Sequence, residues 1–151
     1  MRHRIPLTSL AIAVVLIAGV AAGCGSSSND TTSTAAISKT EFLAKGNAIC
    51  KAGDAKQTAA QEALGKNPSA AQFSSFTTNT LIPNIQSQID QVKALGAPSG
   101  DEAKVNSMLA MAQADLDKIK SNPALLQQGD QFVNFEKVAH PYGLTSCATG
   151  G

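Results

Sequence analysis

The chain of 151 residues predicts an all-α domain, a four-helix up-down bundle with a kinked second helix. Three observations predict it. Apolar residues recur at steps of three and four over long stretches, the spacing of one face of an α-helix. Helix-start signals of the Ser-x-x-Glu kind precede these stretches, and turns marked by Gly or Pro separate them. No run of alternating β-branched residues lies between turn signals, so nothing reads as a strand. Short connections between amphipathic helices favour antiparallel neighbours.

The domain spans residues 37–147. Ser38 can cap a first helix, Glu41 can bond back to the cap amide, and Ile37 can touch Phe42 as a hydrophobic staple. This helix runs to about Leu64 and stops at Gly65. Its apolar face comprises Phe42, Ile49, Ala52, Ala59, Ala60 and Ala63. A second helix starts at Asn67-Pro68, with Pro at the first helical position, or alternatively with Ser69 and Gln72 as a capping box. Phe73 and Phe76 share one face of it, and Ile82, Ile85, Ile89 and Val92 form a later seam. Pro83 lies inside this pattern, cannot donate to the Asn79 carbonyl and crowds that turn, so the helix kinks or breaks there. One kinked helix is expected, because periodic apolar residues continue past Pro83. The kink either bends the helix around the core or opens a ligand cleft.

Residues 95–100 form a turn. Ser99 with Glu102 forms another capping box, and Asp101 suits a helix N-terminus. The third helix carries Val105, Met108, Leu109, Ala112, Leu116 and Ile119 on one stripe, with Asp115 and Asp117 mostly off it. Met108 and Met111 stand one turn apart and read as core fillers or as a soft binding surface. Pro123 starts a short helical turn to Leu126. The last helix covers about residues 130–139, is disturbed by His140-Pro141, and is capped by Gly143 in the left-handed conformation with Leu144 folding back.

Composition excludes some partners. Formal net charge is +1, and both arginines, Arg2 and Arg4, stand at the N-terminus. The remainder is close to neutral and has no run of lysines, which argues against nucleic acid. With no Trp and a single Tyr, large aromatic stacking platforms for bases or sugars are not expected.

The first 36 residues read as address and tether. Residues 1–6 are positive, residues 7–22 are almost wholly apolar, and small residues precede Cys24. This is the order of a secretory signal peptide, and the unbroken apolar run is shorter than the roughly 20 residues of a spanning helix. An uncleaved anchor is the competing reading. The junction Val20-Ala21-Ala22-Gly23-Cys24 resembles the lipobox of bacterial lipoproteins, with Ala21 where leucine is commonest. The resemblance implies cleavage after residue 23, acylation of Cys24, and a place at the cell membrane facing the extracytoplasmic side. The alternative is plain secretion, with Cys24 a free thiol. Acyl chains contribute about 0.8 kcal/mol per buried CH₂, so two or more anchor stably. Residues 24–36 then form the lipidated Cys and a Ser/Thr-rich linker that cannot bury enough surface to order itself, with a reach of roughly 20 Å. Residues 148–151 are a short tail.

With Cys24 held by lipid in an oxidising compartment, Cys50 and Cys147 remain as an even pair. Their bridge would close a loop of nearly the whole domain, a constraint of about 4–5 kcal/mol by chain entropy. A redox or metal pair is the rival reading, but no CxxC occurs and no His lies at ligand spacing from Cys50.

No catalytic constellation emerges, and neither a cofactor nor a metal is implied. His140 is the last histidine of the chain, and no Gly-x-Ser-x-Gly or phosphate loop accompanies it. Its place at a helix end suits a cation near the helix dipole. His140 and Tyr142 together are candidates for haem ligation. Asp115 and Asp117 diverge by about 200° on a helix and make no dyad. The pattern of lipobox, Ser-rich linker, Cys in the first helix and Cys near the end resembles small Ala-rich helical lipoproteins of actinobacterial envelopes. The expected function is a non-enzymatic, membrane-anchored module that binds an envelope protein or wall component. The alternative is a carrier of a small apolar ligand or haem between the helices, which an apolar pocket of roughly 300 Å³ or more would favour.

Overall fold

The structure, a computed structural model, describes residues 36–148. The expected signal peptide, the lipidation site Cys24, nearly all of the linker and the end of the tail lie outside the described residues. The described residues form five α-helices and no strand: α1 (Lys39–Leu64), α2 (Ala70–Phe76), α3 (Ile82–Ala94), α4 (Glu102–Ser121) and α5 (Val133–Tyr142). A π-helical turn, Thr77–Leu81, joins α2 to α3, and 3₁₀ turns cover Pro123–Gln128 and Thr145–Cys147. No helix among the described residues is long and apolar enough to cross a membrane.

α1 begins as its sequence dictates. The Glu41 amide donates to Ser38 Oγ over 3.2 Å. The reciprocal half of the box is replaced by an ion pair, because Lys45 one turn on holds the Glu41 carboxylate at 2.7 Å. The buried face also differs from the expected alanine stripe. It is Phe42, Gly46, Cys50 and Gly53, while Ala52, Ala59 and Ala63 are exposed. The glycines permit close approach that alanine would block. A Cβ on Gly46 would stand 2.7 Å from Leu144 Cδ2. Leu144 thus packs directly on the α1 backbone.

α2 uses the second of its two possible starts. Ser69 and Gln72 form a complete capping box, and Pro68 stays outside the helix. Between α2 and α3 the backbone stays helical throughout, so Pro83 does not break it. The turn widens instead: the Ile82 amide donates to the Thr77 carbonyl, five residues back. A π turn just ahead of proline relieves the crowding that a tight α turn would impose on the carbonyl four residues earlier. It leaves one blemish. Thr77 is fully buried and its hydroxyl has no hydrogen-bond partner, an arrangement that costs about 1–3 kcal/mol.

α4 begins at Glu102 without the expected Ser99 box. Glu102 Oε2 instead accepts from the Gly100 amide at 2.8 Å, and Asp101 is engaged elsewhere. Its stripe is as expected, with one addition. Asp115 is buried and held by Lys118 at 2.7 Å. α5 starts later and ends later than its sequence suggests. Asp130 does not open the helix but accepts from the Phe132 amide at 2.8 Å. The helix also continues through His140-Pro141, because Pro141 falls in the last turn, where only one carbonyl loses a donor. Gly143 then takes the left-handed conformation, φ 112°, and both it and Leu144 donate back to Ala139.

The core joins α1, α3, α4, α5 and the C-terminal turn around Phe42, Ile89, Val105, Met108, Leu116 and Ala139. The expected bridge is present: Cys50 and Cys147, 97 residues apart, are disulfide-bonded with Cα atoms 5.1 Å apart. Asn47 reinforces it one turn earlier. Its amide donates to the Gly143 carbonyl and its oxygen accepts from the Ser146 amide, each at 2.8 Å. The C-terminal turn is therefore fixed to α1 both covalently and by a two-bond side-chain clasp.

Candidate functional site

A cavity of about 350 Å³, partly open to solvent, lies between the helices. Four of the five phenylalanines line it: Phe73 and Phe76 from α2, Phe132 from the approach to α5, and Phe135 from α5. α3 adds Ile85 and Ile89, and α4 adds Val105 and Leu109. Cys50 and Cys147 lie in the same lining, so the disulfide is part of the wall as well as a staple. Pro83 is exposed and outside the cavity, but Leu81 of the π turn lines it.

The polar part of the lining is unbalanced. It holds the carboxylates of Asp54, Asp130 and Glu136 and the amides of Gln57, Gln61, Gln88 and Gln131, and no Lys, Arg or His. Burial raises the Asp54 carboxyl above the ordinary carboxylate range. Glu136 is raised by burial first, and then by the charge of Asp130 and a hydrogen bond with it. None of the three carboxylates belongs to an ion pair among the described residues.

The sequence candidates His140 and Tyr142 do not meet at this cavity. Two positions apart on α5, they face about 200° apart: His140 is exposed and Tyr142 is buried. Tyr142 instead closes the far end of the core. Its hydroxyl donates to Asp101 at 2.9 Å, Lys39 pairs with the same carboxylate at 3.1 Å, and the Lys39 ammonium stands 4.3 Å from the ring centroid. The tyrosine hydrogen bond, and then Lys39, hold the Asp101 carboxyl below its usual range. Burial, reinforced by Asp101, pushes the Tyr142 phenol up to about 12. A tyrosinate ligand for iron is the opposite requirement.

This raised phenol gives a direct test, because the chain has one Tyr and no Trp. Phenolate absorbance should titrate near 12 in the folded protein and near the ordinary 10 in urea. The native state holds the proton more tightly than the unfolded state. Its stabilising contribution is therefore complete below about pH 10 and is lost as pH rises through about 12. A native midpoint at 10 would count against the buried bond to Asp101.

Among the described residues no group of three or more His, Cys, Asp or Glu is placed to hold a metal ion. A second, shallower groove of about 560 Å³ between α4 and α5 carries Met111, Lys104 and Lys137. Met108 is buried core, as the plainer sequence reading has it. No family model, curated protein or solved structure matches the chain.

The sequence offers a ligand cleft between the helices at Pro83 only as an alternative and does not point to the phenylalanine lining. The signal for that lining was present in two Phe pairs, 73/76 and 132/135, each spaced by three. Each pair alone reads as ordinary core, and only the fold brings the two together.

Proposed function

We propose that the chain is a non-enzymatic bacterial envelope lipoprotein, anchored at the extracytoplasmic face of the membrane through Cys24. Its helical domain holds a small apolar ligand between the helices. The cavity of about 350 Å³ carries this reading, since ligand sites of this kind are mostly apolar and begin near 300 Å³. It moves the choice from a module for an envelope protein or wall component toward a carrier. The lipobox-like junction ending at Cys24 supports the anchor, and the Cys50–Cys147 pair is in keeping with an oxidising compartment. The packing of α1 on α3, α3 on α4 and α4 on α5 supports an up-down four-helix arrangement, with residues 70–94 counted as one bent helix.

Native mass spectrometry of the protein taken from its own membranes tests both parts. The expected result is a mature chain beginning at an acylated Cys24, with a small molecule bound non-covalently. An N-terminus elsewhere without acyl mass sinks the anchor. A protein that neither carries a small molecule nor takes up a neutral apolar dye sinks the carrier.

A further inference from the structure

The cavity has a chemical preference beyond apolar. Its polar lining contains three carboxylates and no cationic side chain. Outside the cavity four acids pair with lysines, Glu41 with Lys45, Asp101 with Lys39, Asp115 with Lys118 and Asp117 with Lys120, while Glu62, Asp90 and Glu102 have no lysine partner among the described residues. Asp54 on α1 and the Asp130–Glu136 pair at the start of α5 receive no such partner among the described residues. We infer that the cavity takes an amphipathic organic cation, an amine or ammonium head on an apolar body, with the head at these carboxylates and the body among the phenylalanines. The inference rests on the carrier reading and specifies its ligand class.

Four physical points favour an organic cation over a metal ion or a neutral lipid. The acids come from two separate segments of the chain and, among the described residues, form no group placed to hold a metal ion. An ammonium needs only diffuse negative charge and hydrogen-bond acceptors, which the carboxylates and the oxygens of Gln57 and Gln61 supply. Aromatic faces also attract cations, and four phenylalanines line the space. Asp54 and Glu136 already carry a burden from burial, and Glu136 a further one from its acidic neighbour. A bound cation relieves that burden, whereas an anion adds to it.

The test compares octylammonium, octanol and octanoate, three probes with one apolar body and different heads, by calorimetric titration at neutral pH. The expected order is octylammonium tighter than octanol by about tenfold or more, equivalent to about 1.4 kcal/mol. Octanoate should be weakest. In the Asp54→Asn, Asp130→Asn, Glu136→Gln triple variant, the gap between octylammonium and octanol should shrink to about twofold or less. Unchanged octanol affinity there shows that the variant is folded and its cavity intact. If octanol binds the wild type as tightly as octylammonium, the charge inference falls while the carrier reading stands. The charge inference falls equally if the triple variant, or any single variant among the three that folds, keeps the full preference. If none of the three probes binds the wild type, the carrier reading itself falls.

Discussion

Replacing both Cys50 and Cys147 with alanine should lower the unfolding free energy by about 4–5 kcal/mol, the chain-entropy value for a closed loop of this size. The bridge spans 97 residues of sequence. Urea unfolding followed by circular dichroism reads the change as a lower midpoint, compared at equal slope. Native domains of this size hold only about 5–15 kcal/mol in all, so the variant should be near the edge of folding at body temperature. The Asn47 clasp does not replace the covalent constraint. Its two hydrogen bonds to Gly143 and Ser146 exist only in the folded state and leave the unfolded chain free. A loss under about 1 kcal/mol would mean that the unfolded chain is already compact, or that the C-terminal turn holds without the sulfur bond.

The second large effect is expected at Phe42. Its side chain is wholly buried, with the Tyr142 ring edge-on at 6.3 Å between centroids. Phe42→Ala should cost about 3–5 kcal/mol, the range for emptying a large buried aromatic site. Phe42→Leu should cost much less, because it keeps most of the volume. The measurement is the same urea series. Comparable losses for the two substitutions would show that the site depends on ring shape rather than on filling. Phe42 and Cys50 lie on one face of α1, and both engage the C-terminal segment, through Tyr142 and Cys147. Their effects should therefore fall short of additivity in the triple variant, since residues sharing partners couple.

Most capping signals are legible in the sequence, and most long-range contacts, the cysteine pair apart, are not. Ser38, Ser69, Gly143 and Leu144 cap where their side chains and backbone freedom require, because capping depends on residues three or four apart. The cysteine pairing followed from counting. The Ser99 box does not form because Glu102 accepts from the Gly100 amide, and Asp101, which does stand at the start of α4, gives its carboxylate to Tyr142, 41 residues away in sequence. Asp115 was read as off the buried stripe, yet it is buried against its own neighbour, Lys118. α1 was assigned an alanine face because alanine is apolar, whereas the packing selected Gly46 and Gly53 for absence of bulk. The cavity was the least legible feature, since five separate segments define it and none marks it alone.

The wide turn at Thr77–Leu81 has a rotational consequence. On an uninterrupted α-helix each residue advances the face by about 100°. At that pitch, Phe73 and Phe76 would point roughly 145° away from the mean direction of Leu81, Ile85, Ile89 and Val92. A π turn inserts one residue and so retards everything after it by about 100°. That brings the two sets to within roughly 45° of each other, and residues from both halves line the same cavity. Two apolar stripes that are out of step in the sequence become one continuous wall.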